Sequence, residues 1–161
     1  MYTKKTLSNF TNPKNYGKLK NPDGVGKVGN VVCGDVMWLY IKVEDSKISD
    51  IGFETFGCVA AIATSSQITE LAKGKTLKYA MDIKKDDIVK SLGGLPPVKI
   101  HCSILAVDAL AEAIYDYLKK QKQPISADLE KKHERIKQEK EIIECKYKDW
   151  TDNQTRVTSN Q

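Results

Sequence analysis

The first half of the chain carries a strand pattern. Two apolar, β-branched runs, Val36–Val43 and Ile48–Phe56, flank the polar turn Glu44–Lys47. Such a pair is typical of an antiparallel hairpin or meander, and the pattern suits strands from Lys27 onward. The apolar content exceeds strict alternation, which predicts that helices cover one face of the sheet.

After Cys58 the pattern becomes helical. Runs free of Gly and Pro, or with apolar residues every three or four positions, predict four helices: Val59–Lys73, Leu77–Met81, Asp86–Leu92 and Cys102–Lys119. The segment Leu95–Lys99 is predicted to be extended, because neither of its prolines suits a helix interior.

The two ends of the chain differ from the middle. Residues 1–26 are rich in Asn, Pro, Gly and Lys, which predicts a mobile, turn-rich arm with a short helix near its start. Residues 1–120 are interpreted as one domain and residues 121–161 as a charged C-terminal extension. Within it, Ser126 is predicted to cap a helix running to about Cys145, and the polar end from Thr151 is expected to fray.

The extension helix has a sparse apolar stripe: Leu129, Ile136 and Ile143. This spacing favours weak docking on the domain or pairing with another helix. His133 and Cys145 are expected to occupy solvated positions.

Composition narrows the class of protein. The 161 residues are 40% hydrophobic and 29% charged, and the net charge of +5 is spread along the chain, which does not favour a nucleic-acid surface. No apolar run approaches the roughly 20 residues that span a bilayer, and the start has no apolar segment of a signal peptide. We therefore expect a cytoplasmic protein, in which cysteines are free thiols or metal ligands.

Three cysteines lie at the ends of predicted elements. Cys33 precedes a strand, Cys58 lies between a strand and a helix, and Cys102 begins the long helix. Side chains at such ends can converge at one edge of a sheet. Cys58 and Cys102 also lie at predicted helix N-termini, where the helix dipole favours thiolate, the form that attacks sulfur and binds metals.

The cysteine spacing alone leaves several interpretations open. Inert core thiols are disfavoured by the flanking Gly, Asp and His residues. Structural zinc sites usually use close pairs such as C-x2-C, whereas the gaps here are 25 residues (33 to 58) and 44 residues (58 to 102). A metal site is therefore favoured, with the metal unspecified.

Four motifs, in order, resemble one known family. They are Asn12–Gly17, Asn30–Asp35, Thr55–Cys58 and Leu95–Ser103, and the resemblance covers about residues 9 to 119. The chain resembles the IscU/NifU-type iron–sulfur cluster assembly scaffolds. That resemblance implies an α+β fold: a small sandwich of a three-stranded antiparallel sheet covered by helices, here with a helical C-terminal extension.

The resemblance also implies a function. Family members receive persulfide sulfur from a cysteine desulfurase, take up iron, build a transient [2Fe–2S] cluster and pass it to apo-proteins or carriers. They are binding proteins with covalent sulfur chemistry rather than enzymes. The implied metal ligands are Cys33, Asp35, Cys58, His101 and Cys102; the alternatives are a turn or capping carboxylate for Asp35 and a polar neighbour of the site for His101. Zinc is a possible occupant of the resting or purified protein.

Roles within this ligand set follow from chemistry and resemblance together. A cluster needs four ligand positions, so three thiolates leave one for Asp35 or His101. A hard carboxylate oxygen suits iron in a cluster less well than thiolate, which makes the site labile. Cys102 is assigned as persulfide acceptor because attack on sulfur needs an accessible thiolate. Cys33 or Cys58 are the alternatives.

The proline segment resembles a chaperone-binding motif. Leu95, Pro96, Pro97, Val98 and Lys99 match the segment that a DnaK-type chaperone, with its co-chaperone, grips in related scaffolds. A proline-stiffened peptide loses little entropy when it is bound. The alternative is a rigid loop that places His101 and Cys102. A ferredoxin is a further possible partner.

The chain departs from the family pattern in two places. Val59 and Ala60 stand where family members usually have Gly and a small residue after the second cysteine. The extension lies outside the resemblance, and since every candidate ligand precedes residue 121, its removal is expected to leave cluster assembly largely unchanged. The alternative function is a zinc-binding sulfur acceptor or regulator of a desulfurase. A thiol hydrolase using Cys102 and His101 is disfavoured, because adjacent helix residues diverge.

Overall fold

One antiparallel sheet forms the centre of the molecule. The computed structural model describes the backbone of residues 1–29 and 34–158 and the side chains of those up to residue 145. Strands β1 (Gly24–Gly29), β2 (Val36–Glu44) and β3 (Lys47–Phe56) are hydrogen-bonded in that order. Asp45 and Ser46 join β2 to β3 with φ of 51° and 59°, the left-handed values that a two-residue hairpin turn requires. The predicted antiparallel sheet is confirmed.

Six α-helices accompany the sheet in the described part of the chain. They are α1 (Lys4–Thr11), α2 (Val59–Ala72), α3 (Leu77–Asp82), α4 (Lys85–Ser91), α5 (His101–Lys120) and α6 (Ala127–Thr158). The four helices predicted after Cys58 are confirmed to within one or two residues. None of the helices described is both long and apolar enough to cross a bilayer.

Helices α2 and α5 cover one face of the sheet. The covered face of β2 and β3 carries fully buried apolar side chains: Met37, Leu39, Ile41, Ile51 and Phe53. On β1 the same face carries Gly24 and Gly26, where a Cβ would lie 2.3 Å and 2.2 Å from backbone oxygens of α5. These glycines therefore let α5 lie directly on the strand, as the heavy apolar pattern of the sheet predicted.

The N-terminal segment differs from the predicted arm. The short helix is present as α1, but it packs on α2, where the Ser66 hydroxyl donates to the Asn9 side chain at 2.7 Å. Beyond it, the Lys14 amide donates to Ser66 Oγ at 2.8 Å, and the Gly17 amide donates to the Phe53 carbonyl at 2.7 Å. Polar contacts to α2 and to the edge of β3 tie this segment to the domain.

The extension also differs from its prediction. Helix α6 begins after Ser126 as predicted but continues to Thr158, past the expected fraying point. Leu129 and Ile136 are buried against the domain. His133 is not solvated: it stacks on the Tyr115 ring at 3.8 Å and contacts the Glu112 carboxylate at 2.8 Å. Cys145 is exposed, as expected.

Candidate metal centre

Three predicted ligands meet at one end of the sheet. One oxygen of Asp35 and the sulfurs of Cys58 and Cys102 all lie within 4.8 Å of one another. The two sulfurs are 3.9 Å apart, and the Cys102 thiol lies 4.0 Å from the Asp35 carboxylate. Residues separated by up to 67 positions along the chain are thus brought into one cluster.

Local structure explains how each side chain reaches this point. Asp35 follows Gly34, whose φ of 74° is the left-handed conformation that glycine adopts readily, and it lies just before β2. Cys58 is the N-cap of α2 and lies two residues after the last residue of β3. Cys102 is the second residue of α5, and the Thr64 hydroxyl of α2 donates to its carbonyl at 3.2 Å.

Gly57 completes the pocket. A Cβ at this position would lie 2.6 Å from the Ala61 Cβ, 3.0 Å from the Asp35 Cγ and 3.2 Å from the Asp35 Oδ1. A side chain at position 57 would therefore crowd Ala61 and displace the Asp35 carboxyl, so glycine leaves room for Asp35 beside the two thiols. The Thr-Phe-Gly-Cys motif carried the resemblance, but sequence reasoning assigned no role to this glycine or to Thr64.

The distances fit metal ligation. Two thiolates on a tetrahedral metal with metal–sulfur bonds of about 2.3 Å are about 3.8 Å apart. The 3.9 Å between Cys58 and Cys102 agrees with that value and is far from the roughly 2.05 Å of a disulfide. The arrangement therefore suits two thiolates and one carboxylate around iron or zinc.

Two further polar residues flank the thiols. The His101 Nε2 lies 3.6 Å from the Cys102 sulfur, so the histidine adjoins the cluster on its Cys102 side. The negative charge of Cys58 raises the pKa of Lys99, with smaller contributions from Tyr2 and Cys102 and an opposing effect of burial. Lys99, predicted only as part of the chaperone motif, is also a counter-charge for the thiols.

Burial is uneven within the centre. Cys102 is 1% exposed and Asp35 is 8% exposed, whereas Cys58 is half-buried. Cys102 was expected to be accessible, and that expectation is wrong because the first turn of α5 packs against Ala60 and Ala61 of α2. Cys33, the third predicted thiolate, lies outside the described residues.

The proline segment was predicted to be extended, but only part of it is. Pro96 has extended dihedrals, but Pro97–Lys99 forms a 3-10 turn that leads into α5. A proline suits the first position of a helical turn, since its missing N–H would have no partner there. Val98, at 75% exposure, points to solvent while Lys99 faces the thiols.

Comparison with known proteins gives a consistent match. The model of the NifU-like N terminal domain family matches residues 1–124. An iron–sulfur cluster assembly scaffold protein IscU of Archaeoglobus fulgidus is 58% identical over 120 residues, covering 74% of this chain and 78% of the relative. The IscU scaffold protein of Escherichia coli is 52% identical over 123 residues, covering 74% of this chain and 95% of that relative.

A solved structure agrees with these relatives. The N-terminal part of a NifU-like protein from Brucella abortus superposes with a TM-score of 0.59 at 25% identity, covering 73% of this chain and 94% of that one. The family model spans far more than half of the chain and includes all the described site residues. The chain therefore belongs to the NifU-like N-terminal domain family.

Proposed function

We propose that this protein is a scaffold on which a [2Fe–2S] cluster is assembled from iron and persulfide sulfur and then passed to apo-proteins. The observation that carries the proposal is the meeting of Asp35, Cys58 and Cys102 within 4.8 Å at the ends of separate elements. The names of the Archaeoglobus fulgidus and Escherichia coli relatives support the same role.

In this proposal Cys33, Cys58 and Cys102 are the thiolate ligands of the cluster, which is cargo rather than a resident cofactor. The remaining position falls to Asp35, whose carboxylate lies 4.0 Å from the Cys102 sulfur, or to His101 at 3.6 Å. An oxygen ligand binds cluster iron less firmly than thiolate does. The mixed ligand set therefore favours release.

Cys102 is the proposed sulfur acceptor. Its thiolate attacks the outer sulfur of the desulfurase persulfide, a new S–S bond forms at Cys102, and the desulfurase thiolate leaves. Reduction of that sulfur to sulfide needs two electrons, for which a ferredoxin is a suitable donor. Because Cys102 is buried, the attack requires the first turn of α5 to open, and half-buried Cys58 is the competing acceptor.

The proposed partners follow from the same surface. The desulfurase must reach the half-buried Cys58 side of the centre. A DnaK-type chaperone that gripped Leu95–Lys99 through exposed Val98 would pull directly on the turn before His101 and Cys102. Such a grip would couple chaperone binding to cluster release. All of this chemistry suits a reducing, cytoplasmic setting.

The decisive measurement is the absorption spectrum of the full chain after anaerobic incubation with iron, cysteine and a desulfurase. Charge-transfer bands in the visible range are expected, and they should be lost in Cys58→Ser. A colourless product that retains zinc would instead support the alternative, a zinc-binding sulfur acceptor or regulator of the desulfurase.

The acceptor assignment has its own test. Mass spectrometry after incubation with desulfurase and cysteine should show a gain of about 32 Da, one sulfur atom, on the wild type. Cys102→Ser should lack this adduct, while Cys58→Ser should keep it. The reverse pattern would move the acceptor role to Cys58.

Asp35 tests the release mechanism. Asp35→Ala removes a hard oxygen ligand and one negative charge beside an anionic thiolate–cluster unit. We expect a longer-lived cluster and slower transfer to apo-ferredoxin, measured by the decay of visible absorbance. Faster decay would mean that the carboxylate is an ordinary stabilising ligand, and the idea of a site built for release would fail.

A further inference from the structure

Helix α6 is an addition to the family domain. The family match ends at residue 124, and α6 begins at Ala127. The structural match to the Brucella abortus protein includes 94% of that protein but only 73% of this chain. A role for α6 must therefore be sought in its own contacts.

The first half of α6 is anchored to α5 in one register. Arg135 makes two hydrogen bonds to the buried Asp108 carboxylate, at 2.8 Å and 3.2 Å. Ile136 beside it is 3% exposed. A bidentate arginine–carboxylate pair fixes orientation as well as position. The anchor therefore determines where the next two turns of α6 lie.

Those turns reach the end of the sheet. Lys140, Ile143 and Glu144 line a cavity of about 310 Å³ together with residues of β1 and β2, among them Val36. A Cβ on Gly29 would lie 2.8 Å from the Ile143 Cδ1 and 3.7 Å from the Asp35 carbonyl oxygen. Ile143 is therefore seated against the backbone of Gly29.

Gly29 is a sensitive point for the metal centre. It pairs with Val36 at the last rung of the β1–β2 ladder, and Asp35 is the residue next to that rung. The carboxylate of Asp35 already lies against Gly57 and the Cys102 thiol. Because Asp35 is bonded directly to Val36, a small shift of the Gly29–Val36 pair would also move the Asp35 carboxylate.

We infer that Ile143 is a positioning residue: it braces the Gly29–Val36 rung and thereby holds Asp35 against Cys102. This inference rests on the proposed function and deepens it, since it assigns the added helix a role in cluster release. The expectation from sequence, that removal of the extension leaves cluster assembly largely unchanged, considered only where ligands lie along the chain; the present inference concerns release of the cluster.

The brace itself is tested by hydrogen exchange of the full chain. In Ile143→Ala, the amides of residues 27–29 and 36–38 should exchange about twofold to tenfold faster, the range expected for mutational effects on a coupled site. Ile142→Ala is the matched control, because Ile142 is the neighbouring residue of the same type and is 49% exposed. Equal exchange in the two variants would overturn the brace, whatever the protein's function.

The functional link is tested by a double-mutant cycle. Ile143→Ala should slow cluster transfer to apo-ferredoxin by about twofold to tenfold, and Ile143→Leu should restore it. In an Asp35→Ala background, Ile143→Ala should have no further effect, because its target is gone. An equal additional slowing in that background would overturn positioning through Asp35. If the wild type forms no cluster, the proposed function fails while hydrogen exchange still tests the brace.

Discussion

Gly57 offers the most direct test of how the centre is built. In Gly57→Ala the new Cβ would stand 2.6 Å from the Ala61 Cβ and 3.0 Å from the Asp35 Cγ. Ordinary carbon–carbon contacts are about 3.5–4.0 Å, so neighbours must retreat by about 1 Å. Ala61 belongs to the buried first turns of α2, whereas the Asp35 carboxyl can rotate. We therefore expect both strain and a displaced ligand.

The expected size follows from overpacking. Overpacking of a core typically costs about 1–3 kcal/mol; because Gly57 is itself exposed, the free energy of unfolding should fall by an amount at the lower end of that range, about 1 kcal/mol. Displacement of Asp35 should also slow cluster transfer towards the rate of Asp35→Ala. Urea unfolding gives the first quantity, and transfer of visible absorbance to apo-ferredoxin gives the second.

A second substitution separates the two effects. Ala61→Gly in the Gly57→Ala background removes the 2.6 Å contact but leaves the 3.0 Å contact with Asp35. Ala61→Gly alone should lower the free energy of unfolding by about 1 kcal/mol, the cost of glycine in a helix. Once that loss is subtracted, the double variant should be more stable than Gly57→Ala, while its cluster transfer should stay slow. Transfer that recovers together with stability would refute the view that Gly57 acts through Asp35.

Two further predictions concern the sheet. Burial, aided by the hydrogen bond and charge of Glu54, raises the pKa of Tyr40 from 10.0 to about 12. The stability contributed by the protonated Tyr40 hydroxyl should be complete below pH 10 and should be lost as the pH rises to 12. In a titration of phenolate absorbance, Glu54→Gln should lower the pKa of Tyr40. In Gly26→Ala the Cβ would meet the Ala109 carbonyl at 2.2 Å. Because the helix backbone cannot easily move away, the free energy of unfolding should fall by about 3 kcal/mol. The control Lys27→Ala, at an exposed position, should change it little. Near-wild-type stability of Gly26→Ala would contradict the close packing of α5.

Local periodicity was enough to predict the β2–β3 hairpin and the helices that cover it, whereas the third strand was implied by the resemblance, and half of β1 lies in the segment predicted to be a mobile arm. The apolar run Val36–Val43 and the apolar spacing of α5 carry their own signal, since each buries a continuous face. The meeting of Cys58 and Cys102 also followed from the sequence, because both lie where one element ends and another begins.

The contacts between distant polar residues could not be predicted. The N-terminal segment is held by Asn9, Lys14 and Ser66, and such side chains look like ordinary loop or helix residues in the sequence. The same holds for the pairing of Arg135 with Asp108, 27 residues apart. Hydrogen bonds of this kind have no period, so only the folded chain reveals them.

The burial of Cys102 shows a second limit. A helix N-terminus is usually open to solvent, which is why an accessible thiol was expected. Here α2 and α5 both begin at the same end of the sheet, and the small residues Ala60 and Ala61 let the two first turns touch. Alanine residues add little to an apolar pattern in the sequence, although they allow two helices to approach each other most closely.

The position of the centre relative to the core would allow the labile site of the proposed function to coexist with a stable fold. The large buried side chains, such as Leu39 and Phe53, lie between the sheet and its helices, whereas Asp35, Cys58 and Cys102 come from the ends of elements. A change of ligand then requires rotation of one side chain or opening of one helical turn, and the core packing need not be broken. Hydrogen-bonded ends open at lower free energy than the core does. Ligand exchange at element ends can therefore be fast in a protein that stays folded, as the proposed delivery of a cluster would require.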